Sequence, residues 1–134
     1  DLHRLIRRQR QMCIRDSREG STTGISATDR TLTVRKLADS VTVTKPEEFI
    51  KPGHIVPLRA NDKGVLARRG HTEAAVDLCK LAGLKEVGVI GELVKEDDGE
   101  MMRLKECQEF ATKHDIKIIT VEALAKYIEE NGYN

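Results

Sequence analysis

Arg68-Arg69-Gly70-His71-Thr72-Glu73-Ala74-Ala75 is a basic, glycine-containing turn that runs straight into a helix. The helix continues through residues 72–82, with Ala75, Val76, Leu78, Cys79 and Ala82 at helical spacing. Gly83 stands where a left-handed stop belongs. Residues 87–94 then read as a β-branched-rich strand, and Asp97-Asp98-Gly99 as a turn. Leu104, Cys107, Phe110 and Ala111 mark another helix, 104–114. Residues 116–121 read as a buried strand, and a last helix opens at Thr120 or Val121 and stops at Asn131-Gly132. Strands alternating with helices predict an α/β (α+β layered) domain, helices packed on a mixed β-sheet.

Working back toward the N-terminus, 60–70 is a turn-rich connection and 54–59 a short strand. Residues 40–53 are loop-like, with Pro46 and Pro52 as breakers. Ser26 or Thr28 caps a helix running to about Asp39, with Leu32, Leu37 and Ala38 on its apolar side. Residues 19–24 form a small, polar, Gly/Thr-rich loop.

Residues 1–18 differ from the rest. Six arginines fall there: Arg4, Arg7, Arg8, Arg10, Arg15 and Arg18. A basic arm, a transit peptide and a disordered tail are all readings of such a stretch. Met12-Cys13-Ile14-Arg15-Asp16-Ser17 resembles the translation of a transposon-end adapter. Residues 1–18 are therefore set apart as a non-native or disordered tail, and 19–134 as the folded part.

Composition narrows the function classes. The 134 residues fit one domain with a real core. The formal net charge is +1, so no global field favours nucleic acid or a membrane surface. Aromatics are 3% with no Trp, which leaves no base-stacking platform. No apolar run approaches the length of a membrane span. Cys13, Cys79 and Cys107 are isolated, as expected for a reducing, cytoplasmic setting.

The 68–75 turn carries the chemistry. Helix N-termini hold unpaired N–H groups and partial positive charge, so they attract anions. Two guanidiniums, a glycine and a hydroxyl there suit a phosphate monoester, and the imidazole of His71 is a candidate metal ligand. The plain alternative is a solvated basic turn capped by Thr72.

Several segments in order now resemble one family. They are Thr22-Thr23-Gly24-Ile25-Ser26-Ala27 with Asp29-Arg30, and Pro52-Gly53-His54-Ile55-Val56-Pro57-Leu58-Arg59-Ala60. Arg69-Gly70-His71-Thr72-Glu73-Ala74, Leu81-Ala82-Gly83-Leu84 and Gly88-Val89-Ile90-Gly91-Glu92-Leu93 follow, then Asp98-Gly99 and Phe110-Ala111 with His114. Together they resemble 3,4-dihydroxy-2-butanone-4-phosphate synthases, of riboflavin biosynthesis, from about Glu19 to about Ile128.

The resemblance implies a lyase that turns D-ribulose 5-phosphate into L-3,4-dihydroxy-2-butanone 4-phosphate and formate. It implies Mg²⁺ or Mn²⁺ as cofactor and a homodimer, with neither nucleic acid nor membrane as partner. By the same resemblance His54 and Glu92 are the catalytic residues. Arg68, Arg69, Gly70, His71, Thr72 and Glu92 bind substrate and phosphate. His71 is the metal ligand, its partner glutamate belonging to an acidic loop absent from this chain. Thr22-Thr23 and Asp29-Arg30 are either near the substrate or a helix cap with an exposed ion pair. Glu73 orients His71 or favours the helix start, and His114 is structural or on the surface. By the resemblance, a chain without that acidic loop looks like the C-terminal part of the enzyme. The alternative function is then a catalytically incomplete fragment that retains only a sugar-phosphate-binding turn.

Overall fold

A computed structural model of the chain describes residues 15–40 and 46–133. Strand β1 (Arg15–Ser17) pairs antiparallel with β2 (Phe49–Ile55), and helix α1 (Ala27–Ser40) packs on both. Helices α2 (Gly64–Ala67), α3 (His71–Leu81) and α5 (Val121–Asn131) pack on one another, and α4 (Leu104–His114) lies between α3 and α5 in sequence. The fold is the expected α/β class. Its sheet, among the described residues, has two antiparallel strands rather than a mixed set.

Local chemistry accounts for the helix ends. Ser26 Oγ accepts the N–H of Asp29 at 3.0 Å, which selects Ser26 over Thr28 as the cap of α1. At the end of α3, the N–H of Leu84 donates to the Cys79 carbonyl at 2.9 Å and that of Gly83 to Lys80 at 3.0 Å. Gly83 has φ +65°, the left-handed residue this closure needs. Thr120 Oγ1 accepts the N–H of Ala123 at 3.1 Å and starts α5.

The apolar core is small. Val65, Leu124, Ala125 and Ile128 are buried together, with Ala74, Leu81 and Val121 packed against them. It gathers three helices, and the short α2 is an element the sequence reading left inside a turn-rich connection.

Three strand expectations need correction. The strand expected at 54–59 is Phe49–Ile55, so Pro52 lies within it. Residues 87–93 and 116–120 belong to no strand; only Val94 pairs, through a single bridge to Met101. A β-branched run becomes a strand only when a neighbour takes its N–H and C=O groups, and periodicity does not reveal that neighbour. Val89 is accordingly 75% exposed and Ile119 56%. The ordered part also begins earlier than Glu19, because Arg15–Ser17 is a paired strand. The remainder of the 1–18 reading falls on residues 1–14, outside the described ones. No helix among the described residues is long and apolar enough to cross a membrane.

If the three-helix cluster is the core, Ile128→Ala lowers unfolding free energy by about 2–5 kcal/mol in denaturant titration. Ile118→Ala, at a half-exposed position, changes it by less than about 0.5 kcal/mol.

Candidate functional site

Pairing of β1 with β2 is interrupted at one point. Asp16 faces Ile50 and Arg15 faces Ile55, so Lys51, Pro52, Gly53 and His54 bulge out between adjacent positions of β1. A bulge tolerates Pro52, which has no N–H to offer a ladder. It also leaves the N–H of His54 without a strand partner. The carboxylate of Asp16 takes that role: Oδ1 accepts the His54 N–H at 2.9 Å, and Oδ2 lies 2.8 Å from His54 Nδ1. The Asp16 side chain is 9% exposed, that of His54 39%.

The Thr22–Asp29 loop closes over this pair. Gly24 has φ +80°, and a side chain there would put its Cβ 2.1 Å from Asp16 Oδ2 and 2.7 Å from His54 Nδ1. Only glycine fits. Asp29 is buried and accepts from the Thr22 hydroxyl at 2.9 Å, the Thr22 N–H at 3.2 Å and the Gly24 N–H at 3.0 Å. The Thr22 hydroxyl and N–H hold its carboxyl below the usual range. Asp29 is thus a buried loop anchor rather than half of an exposed ion pair. Its neighbour Arg30 donates from Nε to the Ile25 carbonyl at 2.8 Å.

The 68–72 turn rests on Glu73, fully buried in the first turn of α3. Its Oε1 accepts the Asn61 N–H at 3.0 Å, and its Oε2 pairs with Arg68 at 2.5 Å. Burial pushes this carboxyl up, but the Asn61 N–H and the Arg68 guanidinium outweigh it and hold it below the usual range. Glu73 therefore fixes the turn through Arg68 and Asn61 rather than orienting His71. Gly70 again has no room for a side chain: its Cβ would sit 2.4 Å from both Arg68 Nη1 and Glu73 Oε2. Arg69 pairs with Glu129 at 3.1 Å, and His71 is exposed at the helix start. One turn further, the fully buried Asp77 accepts the Val65 N–H at 2.7 Å and the Tyr133 hydroxyl at 3.1 Å.

Two cavities separate the candidate residues. One of about 670 Å³ is lined by His54, Thr72, Arg30 and Arg35, with apolar walls from Val56, Val76 and others. A second, of about 750 Å³, takes in Arg69, His71 and Thr120. Glu92 lines neither, and it lies in the 87–93 segment, which forms no strand. His54 and the start of α3 are brought together; Glu92 and the two turn arginines are not brought to that cavity. His114 lies on the surface, its ring tilted against that of Phe110 with centroids 4.3 Å apart.

Magnesium prefers several oxygen ligands. No group of three or more His, Cys, Asp or Glu among the described residues is placed to hold an ion, and the carboxylate next to His71 is committed to Arg68 and Asn61. The described donors do not form a magnesium site by themselves.

A profile of the 3,4-dihydroxy-2-butanone 4-phosphate synthase family matches residues 7–127. The chain belongs to that family. The synthase of Saccharomyces cerevisiae is 60% identical over 116 residues, 86% of this chain and 55% of the yeast protein. "Riboflavin biosynthesis protein RibBA" of Aquifex aeolicus is 56% identical over 82% of this chain and 26% of its own length. A crystal structure of the Candida albicans synthase superposes with a TM-score of 0.81 at 57% identity, covering 86% of this chain and 58% of that one. The chain thus spans about half the length of the yeast synthases it matches. The family match begins at residue 7 and so includes Asp16.

Sequence reading missed Asp16, set aside with the tail, and assigned no role to Asp77. The available signal was an acidic residue at a position flanked by a glycine-rich loop, which is too common to decide anything alone.

Glu73 yields a pH dependence. Its usual value is 4.5 and the folded value is lower, so the unfolded chain binds the proton more readily. The stability it confers is complete above pH 4.5 and is lost as pH falls through the folded value. Thermal melts should show a falling midpoint on that acid side. Glu73→Gln should lower the neutral-pH stability by about 1–3 kcal/mol and make the acid-side fall shallower.

Proposed function

We propose that this chain carries the proton-transfer and phosphate-binding end of a lyase that converts D-ribulose 5-phosphate to L-3,4-dihydroxy-2-butanone 4-phosphate and formate. Family membership supports the reaction. The single observation that carries the assignment within the chain is the cavity shared by His54 and Thr72.

That reaction moves protons beside a carbonyl, which needs an acid/base group near neutral pH. An imidazole has the right range, and His54 is held by Asp16 with its ring partly exposed at the cavity. Thr72 offers a hydroxyl in the first turn of α3, whose N-terminal dipole favours a phosphate group. Arg30 and Arg35 add positive charge to the same wall. Arg68, Arg69 and Gly70 complete the phosphate-binding turn in this reading, and Glu92 is the second catalytic residue. None of these four residues lines the His54 cavity, and in this reading a further part of the enzyme, or a second subunit of a homodimer, brings them to the substrate. His71 would be one ligand of Mg²⁺ or Mn²⁺, and the described residues supply no further ligand set beside it. The setting is cytoplasmic.

The second reading is a fragment that binds the sugar phosphate without turning it over. In that reading the sugar-phosphate-binding turn works without a complete metal site among the described residues. Incubation with D-ribulose 5-phosphate and Mg²⁺, followed by formate detection, separates the two. Formate release that His54→Gln abolishes supports the lyase reading for the chain itself. Saturable binding of D-ribulose 5-phosphate without formate supports the fragment. Formate release unchanged by His54→Gln contradicts the role given to His54.

A further inference from the structure

We propose that Asp16 is a positioning residue for His54, fixing its ring as the Nδ1–H tautomer so that Nε2 is the nitrogen that exchanges protons in the cavity. This rests on the reading of His54 as the acid/base group. It adds a residue that the sequence motifs do not contain.

The geometry is specific to the ring. An acceptor for the His54 N–H would be enough to close the bulge in β2, and Oδ1 provides it at 2.9 Å. Asp16 does more: its second oxygen meets Nδ1 at 2.8 Å. An ionised carboxylate only accepts, so the shared hydrogen must sit on Nδ1 and the lone pair on Nε2. Both contacts come from one short side chain on the adjacent strand, leaving it little rotational freedom. The Gly24 backbone covers the pair so closely that no side chain could stand there. Burial of a carboxylate is costly unless its oxygens are occupied, and here both serve the same histidine. When Nε2 takes a proton, the resulting imidazolium faces a fixed negative charge. The same logic underlies acid–base–histidine arrangements on unrelated folds.

Asparagine discriminates a ring-positioning role from a merely structural one. In Asp16→Asn the amide oxygen can still accept the His54 N–H and keep the bulge. The amide NH₂ then meets Nδ1 as a donor, which forces the hydrogen onto Nε2. The measurement is ¹⁵N NMR of the imidazole nitrogens at about pH 9, where an ordinary imidazole is neutral. The unsubstituted chain should show a protonated Nδ1 and bare Nε2, and Asp16→Asn should show the reverse. An Nε2–H tautomer in the unsubstituted chain overturns the proposal and requires no variant to fold. So does an unchanged tautomer in Asp16→Asn.

Where the protein turns over D-ribulose 5-phosphate, Asp16→Asn should lower kcat by about 10²-fold or more with KM little changed. Asp16→Glu should restore part of it. A kcat unaffected by Asp16→Asn, in a protein that His54→Gln inactivates, overturns the role of Asp16 alone. Activity that survives His54→Gln instead removes the underlying reading of His54, whatever the ring nitrogens show.

Discussion

Buried carboxylates that accept backbone N–H groups from loops hold this structure in shape. Asp16 takes the N–H of His54, Asp29 those of Thr22 and Gly24, Glu73 that of Asn61, and Asp77 that of Val65. Each acceptor is buried, and each donor lies where the backbone is irregular or a short helix begins. A buried N–H without a partner is costly, so these side chains replace the ladders that regular structure would provide. Three of the carboxylates also abut a glycine that could carry no side chain: Asp16 with Gly24, Asp77 with Gly64, Glu73 with Gly70. A carboxylate held from several sides, with a bare backbone pressed against it, fixes a loop more tightly than the small apolar core alone could.

This design places the candidate chemistry. The bulge in β2 removes His54 from the ladder, and Asp16 recaptures it with a defined ring orientation. Glu73 sets the bend that leads into α3 and pairs with the half-exposed Arg68. The consequence is a division of labour within a basic turn that looks uniform in sequence. Arg68 braces the loop, Arg69 reaches α5 through Glu129, and Thr72 faces the His54 cavity.

Much of the helical framework was legible in the sequence. Caps and stops at Ser26, Gly83, Thr120 and Gly132 are local chemistry, so short-range reading found them. Strands were harder, because the partner of residues 87–93 or 116–120 is not a local property. Pro52 was read as a breaker, yet a bulge accommodates it inside β2. Of the motif residues, the structure brings His54 and Thr72 to one cavity and leaves Arg68, Arg69 and Glu92 off it. Asp16 and Asp77 escaped because their importance lies in a contact made across 38 and 12 residues of chain. The position of Asp16 in an adapter-like stretch concealed it further.

The claim that loop N–H groups are locked by buried carboxylates is open to a direct measurement. Amide hydrogen exchange, followed by NMR, reports the protection of His54, Gly24, Asn61 and Val65 one by one. Slow exchange at these four, well beyond that of exposed loop amides such as Gly91 and Asp97, is the predicted result. Exchange as fast as in those exposed loops would contradict the account.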